Sequence, residues 1–219
     1  MEEEGISSDS IYELIKEDIM FRRIKGGQKI RERELAERFG VSITPVREVL
    51  TRLEYDGLVV RNGKARVVRT LSCSELQHYY NVRLLLEPES ACLAAQNASS
   101  EDIKKLAGMI EEMKSCAKSG SLQELDRVNK DFDEFIYRLS RNPVLEKFLR
   151  EVLVVVFPYR VMGTRVETRL KETVKEHEAI FKAIANKKPA EARRVTRRHV
   201  RNASEVVMLV MREFEEKGL

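Results

Sequence analysis

The most informative segment of this 219-residue chain is residues 34–59, which read ELAERFGVSITPVREVLTRLEYDGLV. It predicts two short helices joined by a tight turn. Gly40 ends the first helix, which begins at about Arg31, because glycine tolerates the left-handed backbone conformation found at helix C-termini. The second helix has Pro45 in its first turn, where the missing N–H costs little, and it ends at Gly57. Apolar residues at helical spacing predict the buried faces of the two helices: Leu35, Ala36 and Phe39, then Val46, Val49, Leu50 and Leu53.

The residues on either side complete a small domain. Residues 58–68 read LVVRNGKARVV, and Asn62-Gly63 accepts positive φ at both central turn positions, so two strands joined by a tight hairpin are predicted. Ahead of the helix pair, Ser10 and Glu13 form a capping-box pattern that predicts a first helix. Three helices followed by a hairpin make a winged helix-turn-helix.

Every segment after Thr70 has the periodicity of a helix. Helices are predicted over about residues 74–96, 100–117, 122–140, 143–156, 168–185 and 189–216. The predicted fold class is therefore mainly α. An N-terminal winged helix-turn-helix of three helices plus a β-hairpin wing occupies residues 1–70, and an all-α antiparallel helical bundle follows in residues 71–219.

Composition narrows the class of protein. Hydrophobic residues make up 42% of the chain and charged residues 35%, with only ten Gly and five Pro, so we expect a globular chain. No apolar run approaches the roughly 18 residues of a membrane span, and the N-terminus is acidic, which predicts a cytoplasmic protein without a membrane partner. The cysteines are widely spaced and include no Cys-x-x-Cys pair, which argues against a disulfide framework or a thiolate zinc site: Cys73, Cys92 and Cys116.

Positive charge is concentrated near the N-terminus. Residues 20–70 contain 13 Lys or Arg against six Asp or Glu, whereas residues 71–219 contain 26 against 23. A basic surface on a small domain is typical of a polyanion partner, because binding to phosphates releases counterions. Charge alone is also compatible with an ordinary solvated surface.

The third helix supplies a surface that fits DNA. With its apolar stripe buried, the outward residues of this helix are Thr44, Arg47, Glu48, Thr51 and Arg52. Hydroxyl and guanidinium groups suit the base edges and phosphates of a major groove. Lys64, at the hairpin tip, is placed to reach a neighbouring groove or phosphate.

Residues 34–59 resemble, almost without gaps, the DNA-binding motif of the GntR family of bacterial transcription regulators. The resemblance implies double-stranded DNA as the partner and assigns DNA contacts to Arg33, Ser42, Thr44, Arg47 and Gly63. One position departs from the family, which usually has Arg where this chain has Ile43. Either the operator differs there, or an apolar contact to a thymine methyl replaces a guanine contact. The alternative is a winged helix that contacts only protein.

The remainder of the chain resembles the FCD effector-binding domain of the FadR subfamily. The segments that carry this resemblance are residues 80–88, 129–133, 142–143, 176–180 and 197–200. That family commonly holds a divalent metal ion with an acid or amide, a His four residues later, and two further His from later helices. The resemblance therefore implies four metal ligands here: Asn129, Asp133, His177 and His199.

Asp133 departs from the family pattern, which has His at this position. Asn129 and Asp133 lie one helical turn apart on one face, and two nitrogens with two oxygens suit zinc, nickel or manganese without selecting among them. The alternative is that His177 and His199 are core histidines, hydrogen-bonded to Asp133 and Asn129 around a pocket without metal.

Arginines give further candidates for ligand binding. The resemblance places Arg83 toward an effector cavity, whereas its spacing from Glu87 also fits an intrahelical ion pair. Arg160 and Arg165 fall in a predicted connection, residues 158–169. Pairing with an anionic effector is one interpretation of these two residues, but surface roles are the ones that we expect.

These features together predict a DNA-binding transcription regulator, expected to be a repressor, whose operator binding responds to a small carboxylate metabolite bound near the metal. One recognition helix reads few base pairs, so a homodimer on a palindromic operator is expected. Two alternatives are a metal-responsive regulator that senses the ion itself and a metal-dependent helical-bundle enzyme. Neither a nucleophile elbow nor a phosphate-binding loop supports an enzyme, and no second Glu-x-x-His accompanies Glu75 and His78, so we predict no enzymatic activity.

Overall fold

Three helices and a small sheet form the N-terminal part of the computed structural model, which describes residues 6–216. The elements are α1 (Ser8–Met20), β1 (Lys29–Ile30), α2 (Glu32–Phe39), α3 (Ile43–Tyr55), β2 (Val59–Asn62) and β3 (Ala65–Val68). The chain divides into two compact units between Leu71 and Ser72.

α1 begins before the predicted cap. Ser7 is the N-cap, and its hydroxyl accepts a hydrogen bond from the backbone N–H of Ser10 at 3.2 Å. The predicted capping box of Ser10 and Glu13 is therefore wrong, because Ser10 already lies inside the helix. Glu13 instead pairs with Lys16, at 3.0 Å.

The sheet is antiparallel, with strand order β1-β3-β2. β1 is a two-residue strand that the sequence pattern does not indicate, since so short a segment has no alternation to detect. It pairs Lys29 with Val67 and Ile30 with Arg66, so it covers the edge of the hairpin that β2 leaves open.

The hairpin turn lies one residue later than predicted. Asn62 pairs with Ala65 across the strands, so the central turn residues are Gly63 and Lys64. Gly63 has a φ of +59°, whereas Lys64 has an ordinary negative φ. This is the pattern of the tight turn that requires glycine at its first central position.

The core of the N-terminal unit forms where α1 packs against α3. Ile11, Ile15 and Ile19 of α1 are buried. The apolar stripe of α3 has no exposed surface at all: Val46, Val49, Leu50 and Leu53. Each such side chain stabilises the fold by about 2 kcal/mol on burial, so the rotation of α3 about its axis is strongly determined.

Helices make up the rest of the described chain. They are α4 (Cys73–Asn97), α5 (Ser100–Ser119), α6 (Leu122–Leu139), α7 (Pro143–Gly163), α8 (Glu167–Ala185) and α9 (Pro189–Glu216). α4 contacts α6, α7, α8 and α9, which places it at the centre of this unit. The predicted mainly α fold is confirmed. Within residues 6–216, no helix has both the length and the apolar character needed to cross a membrane.

α7 extends to Gly163, well beyond its predicted end at Val156. Pro158 lies inside the helix, where it removes one backbone hydrogen bond. Phe157 and Val161, on either side of it, are buried, and their burial offsets that loss. Much of the predicted connection after residue 157 is therefore helical.

Candidate functional site

α3 presents a polar surface on the side opposite its buried stripe. Thr44, Arg47 and Thr51 are all exposed, and their spacing places them along one helix face. The Arg47 side chain is 64% exposed, so its guanidinium can reach a partner outside the protein.

The other residues assigned to DNA binding lie on α2, in the turn before α3, on α3 and in the wing formed by β2 and β3. The exposed ones are Arg33, Ser42, Arg52, Gly63 and Lys64. Ile43, the first residue of α3, is half-buried. The structure thus gathers the predicted DNA-binding residues on one unit, and their contacts with DNA stay predictions.

Thr51 and Arg52 already have partners inside the protein. The Thr51 hydroxyl donates to the carbonyl oxygen of Arg47 at 2.9 Å and accepts from Arg66 at 3.1 Å. Arg52 pairs with Asp9 at 2.6 Å. A DNA contact by either side chain would have to share or replace these bonds.

An ion-pair network joins α2, α3 and β3. Its members, which the sequence analysis did not connect, form what we call the wing-to-helix network: Glu32, Arg47, Glu54 and Arg66. Glu32 accepts from Arg47 Nε at 2.7 Å and from Arg66 Nη1 at 2.7 Å. Arg66 Nε donates to Glu54 at 2.6 Å. These partners are far apart in sequence, so no local sequence pattern predicts their ion pairs.

The second unit contains a buried polar cluster to which α6, α7, α8 and α9 contribute. We call it the interior cluster, and its members are Asn129, Asp133, Arg160, Arg169, Glu176, His177 and His199. The ring centroids of His177 and His199 are 4.6 Å apart, and His177 Nε2 lies 4.0 Å from Asp133 Oδ1. The residues predicted as metal ligands are therefore brought together from three helices, with Asn129 one turn from Asp133 on α6.

Arginines belong to this cluster as well. Arg160 of α7 pairs with Asp133 at 2.6 Å, so the expected surface role in a connection is wrong, because the longer α7 holds this side chain in the interior. Arg169 of α8 pairs with Glu176 at 2.8 Å, and Glu176 lies 2.7 Å from His199 Nδ1. The sequence analysis expected Arg160 at the surface, and it missed Arg169 and Glu176 as members of the site.

Burial and neighbouring charges set the protonation of the cluster. Burial, together with the nearby His199 and Arg160, holds the pKa of His177 well below its usual value, so this imidazole is neutral. Burial alone would raise the pKa of Glu176, but hydrogen bonds with His199 and Arg169 lower it to about 2. Glu176 is therefore ionised, and it lies beside the Arg169 guanidinium and the His199 imidazole.

Several polar atoms of the cluster have no hydrogen-bond partner among the described residues. They include Asn129 Oδ1, both ring nitrogens of His177 and Nε2 of His199. The bonds to Asp133 and Asn129 that a metal-free pocket was expected to show are not formed. The donor set of nitrogens and oxygens fits a divalent ion in its chemistry. In residues 6–216, however, no three His, Cys, Asp or Glu side chains are already gathered around one point.

A small cavity of about 30 Å³, partly open to solvent, borders the cluster. Its polar lining consists of Tyr80, Asn129, Arg160, Thr164, Arg169, Thr173 and His199. Nη1 of Arg160 and Nη1 of Arg169 lack hydrogen-bond partners within the described chain. Arg160 and Arg169, which both line the cavity, therefore each have an N–H donor group that no described residue binds.

Arg83 is buried and pairs with Glu87 at 2.6 Å, which confirms the ion pair indicated by their spacing. Beside Arg83, the pKa of Glu87 is lowered despite its burial, so both groups are charged. The Arg83 guanidinium lies 4.7 Å from the ring of Tyr80, a residue of the cavity wall. A role for Arg83 in effector binding stays a prediction.

The N-terminal unit, with an exposed polar recognition helix and a wing, has the architecture of a DNA-binding protein. A family model described as "Bacterial regulatory proteins, gntR family" matches residues 7–68, and the FCD domain model matches residues 78–202. The chain therefore belongs to the GntR family of bacterial regulatory proteins, with an FCD domain as its C-terminal part. It is a DNA-binding transcriptional regulator.

Relatives agree with this assignment. YdhC of Bacillus subtilis, an uncharacterized HTH-type transcriptional regulator, is 28% identical over 94% of this chain and 92% of its own length. The Uxu operon regulator of Haemophilus influenzae is 31% identical over 88% of this chain and 78% of its own length. The solved structure of Escherichia coli McbR/YncC has the same fold, with a TM-score of 0.83 at 23% identity over 91% of this chain and 96% of its own. These domains and relatives are those of regulators rather than enzymes, so the prediction of no enzymatic activity is confirmed.

We expect Arg47→Ala to weaken binding to a specific duplex by roughly 1–3 kcal/mol, since a guanidinium that reads a base edge contributes about that much. The duplex would be selected by the wild-type protein from a randomised library. Fluorescence anisotropy at one salt concentration would give both affinities.

Arg194→Ala is the matched control for this variant. Arg194 is 63% exposed, pairs with Glu191 and lies on α9, so its replacement removes the same charge far from α3 in sequence. Equal losses in the two variants, or no loss for Arg47→Ala, would show that the recognition face is wrongly assigned.

Proposed function

We propose that this protein is a repressor whose DNA binding is controlled by a small carboxylate metabolite, held near a divalent metal ion in the C-terminal unit. The proposal rests mainly on the interior cluster, where imidazole nitrogens without hydrogen-bond partners lie beside a cavity. Buried polar groups are costly unless a neighbouring group or a ligand satisfies them. A bound ion and a bound anion would satisfy this cluster together.

Asn129, Asp133, His177 and His199 would hold the ion. Two nitrogens and two oxygens are compatible with zinc, nickel or manganese. The lowered pKa of His177 supports this role, because a metal binds the neutral imidazole. The ion would supply a positive charge that attracts a carboxylate.

Arg160 and Arg169 would orient the effector. Each has a buried Nη1 without a hydrogen-bond partner in the described chain, and both line the cavity. Charge-assisted hydrogen bonds from guanidinium to carboxylate are among the stronger ones in proteins. Arg83, whose guanidinium lies against Tyr80 of the cavity wall and is paired with Glu87, would support this wall from behind.

We also propose a cytoplasmic homodimer of the FadR subfamily that binds a palindromic operator. Large apolar side chains are exposed on α4 and α7: Val82, Leu85, Val144 and Phe148. A second copy of the chain that covers them would remove apolar surface from water. The effector would then act by favouring one dimer geometry over another, typically by about 1–3 kcal/mol.

Replacing His177 and His199 together by Ala should abolish metal binding, because it removes both nitrogen ligands. Elemental analysis and native mass spectrometry of the purified full chain, before and after addition of zinc, nickel or manganese, would measure the ion per chain. His78→Ala is the control, since His78 is an exposed histidine on α4. An unchanged metal content in the double variant would eliminate this site.

Ala203→Leu should raise the concentration of effector needed to release DNA, because Ala203 lines the cavity and a larger side chain would occupy it. The measurement is a titration of the protein–duplex complex with a panel of small mono- and dicarboxylates. The larger side chain is expected to cost about 1–3 kcal/mol of stability. DNA binding by Ala203→Leu in the absence of effector would therefore show that the variant is still folded.

Ala117→Leu makes the same change on α5, at a partly buried position outside the cavity lining. Equal potency of the active carboxylate on the wild type and both variants would contradict the proposed cavity. Release of DNA by the metal ion alone, with no carboxylate present, would show that the protein senses the ion and not a metabolite.

Leu85→Glu and Phe148→Glu should each weaken the dimer, because a buried unpaired carboxylate opposes association. Leu85 is 71% exposed and Phe148 52% exposed in the single chain, so neither change should disturb the fold. Sedimentation equilibrium would report the mass. Leu209→Glu, at a 59% exposed leucine of α9, is the comparison. If Leu209→Glu dissociates the dimer and the other two variants do not, the interface involves α9 and not the exposed apolar residues of α4 and α7.

A further inference from the structure

Arg47 is held by a carboxylate on the surface that faces DNA. Its Nε donates to Glu32 Oε2 at 2.7 Å. An arginine bound through Nε keeps its two terminal amino groups side by side, and those are the donors that bind O6 and N7 of a guanine. The Glu32 bond therefore restricts the Arg47 side chain without using that donor pair.

Glu32 is itself held in place from β3. Its other oxygen, Oε1, accepts from Arg66 Nη1 at 2.7 Å. The Arg66 side chain is only 10% exposed, although it is charged. It is fixed further by Glu54, at 2.6 Å, and by the Thr51 hydroxyl, at 3.1 Å. A nearly buried arginine with three partners is a rigid support for the carboxylate that it contacts.

Position 66 connects this support to the wing. Arg66 pairs with Arg61 in the β2–β3 ladder and with Ile30 of β1, so its backbone is fixed on both sides by the sheet. The wing-to-helix network therefore runs from the sheet through Arg66 and Glu32 to Arg47.

We propose that Glu32 is a positioning residue, which holds Arg47 in the conformation that reads a base, and that Arg66 holds Glu32. A carboxylate so close to DNA also repels phosphates, which costs affinity for every sequence. Its benefit is specificity, because an arginine that is already oriented loses less side-chain entropy when it binds a base.

The test compares Glu32→Gln with Glu34→Gln in the full chain. Both glutamates lie in the first turn of α2, and Glu34 pairs with exposed Arg31 at 2.6 Å. Both variants remove one negative charge from the same helix turn, so their long-range effect on DNA affinity is the same. In Glu32, Arg47 and Arg66 bind different oxygens. Glutamine replaces one of these oxygens by an NH₂ group, which is a donor, so in this geometry it cannot present an acceptor to both arginines.

The measured quantity is the ratio of affinities for the duplex selected by the wild type and for a scrambled duplex of equal composition. Both variants should bind the scrambled duplex more tightly, and to a similar degree. We expect Glu32→Gln to lower the ratio about tenfold relative to Glu34→Gln, which is the size of one lost base-reading contact. Equal ratios in the two variants would overturn the proposal and leave Glu32 as a repelling charge only.

A second measurement separates positioning from a structural role. In an Arg47→Ala background, Glu32→Gln should have no further effect on the ratio, because Glu32 acts through Arg47. Additive losses would contradict the proposal. Thermal unfolding of each variant reports its fold independently, and a specific loss without a change in Tm is the expected result.

Discussion

The recognition face assigned to α3 depends on the rotation of this helix about its own axis. Its apolar stripe, which includes Val49 and Leu50, leaves no surface exposed, and turning the helix would place that stripe in water at a cost of several kcal/mol. Burial of one face of α3 therefore determines which residues lie on its solvent-exposed face, among them Arg47. Gly40, with a φ of +64°, ends α2 and allows the tight turn into α3. The position of the recognition face thus follows from packing, whereas its chemistry follows from the exposed residues.

The C-terminal unit places charge in its interior instead. Arg83 with Glu87, Arg160 with Asp133 and Arg169 with Glu176 form three buried ion pairs, each with an N–O distance below 3 Å. Such pairs add little net stability, because the cost of removing two ions from water offsets their attraction. Apolar residues of similar volume would stabilise a helical bundle at least as well. The arrangement is better suited to holding a charged ligand than to folding, which agrees with the function proposed for this unit.

Sequence patterns predicted the fold where local chemistry controls it. Helical periodicity, glycine at α2's end and the Asn62-Gly63 hairpin signal led to the winged helix-turn-helix, and family resemblance led to the four polar residues that converge inside the second unit. The predictions failed where packing outweighs a local rule. Burial around Pro158 continues α7, and strand pairing moves the hairpin turn by one residue. Contacts between distant residues, such as Glu32 with Arg66 and Asp133 with Arg160, leave no periodic signal at all.

The tip of the wing tolerates substitution differently from the rest of the surface proposed to bind DNA. A Cβ at Gly63 would meet open space, so glycine is required there by backbone conformation and not by crowding. Asn62 and Lys64, its exposed neighbours, are under no such requirement. Substitutions at Asn62 or Lys64 can therefore change the side chains at the end of the hairpin while the backbone conformation of the turn stays the same. In the proposed interface, a substitution at either position would change the contact with the operator and leave the helices that carry the rest of that interface undisturbed.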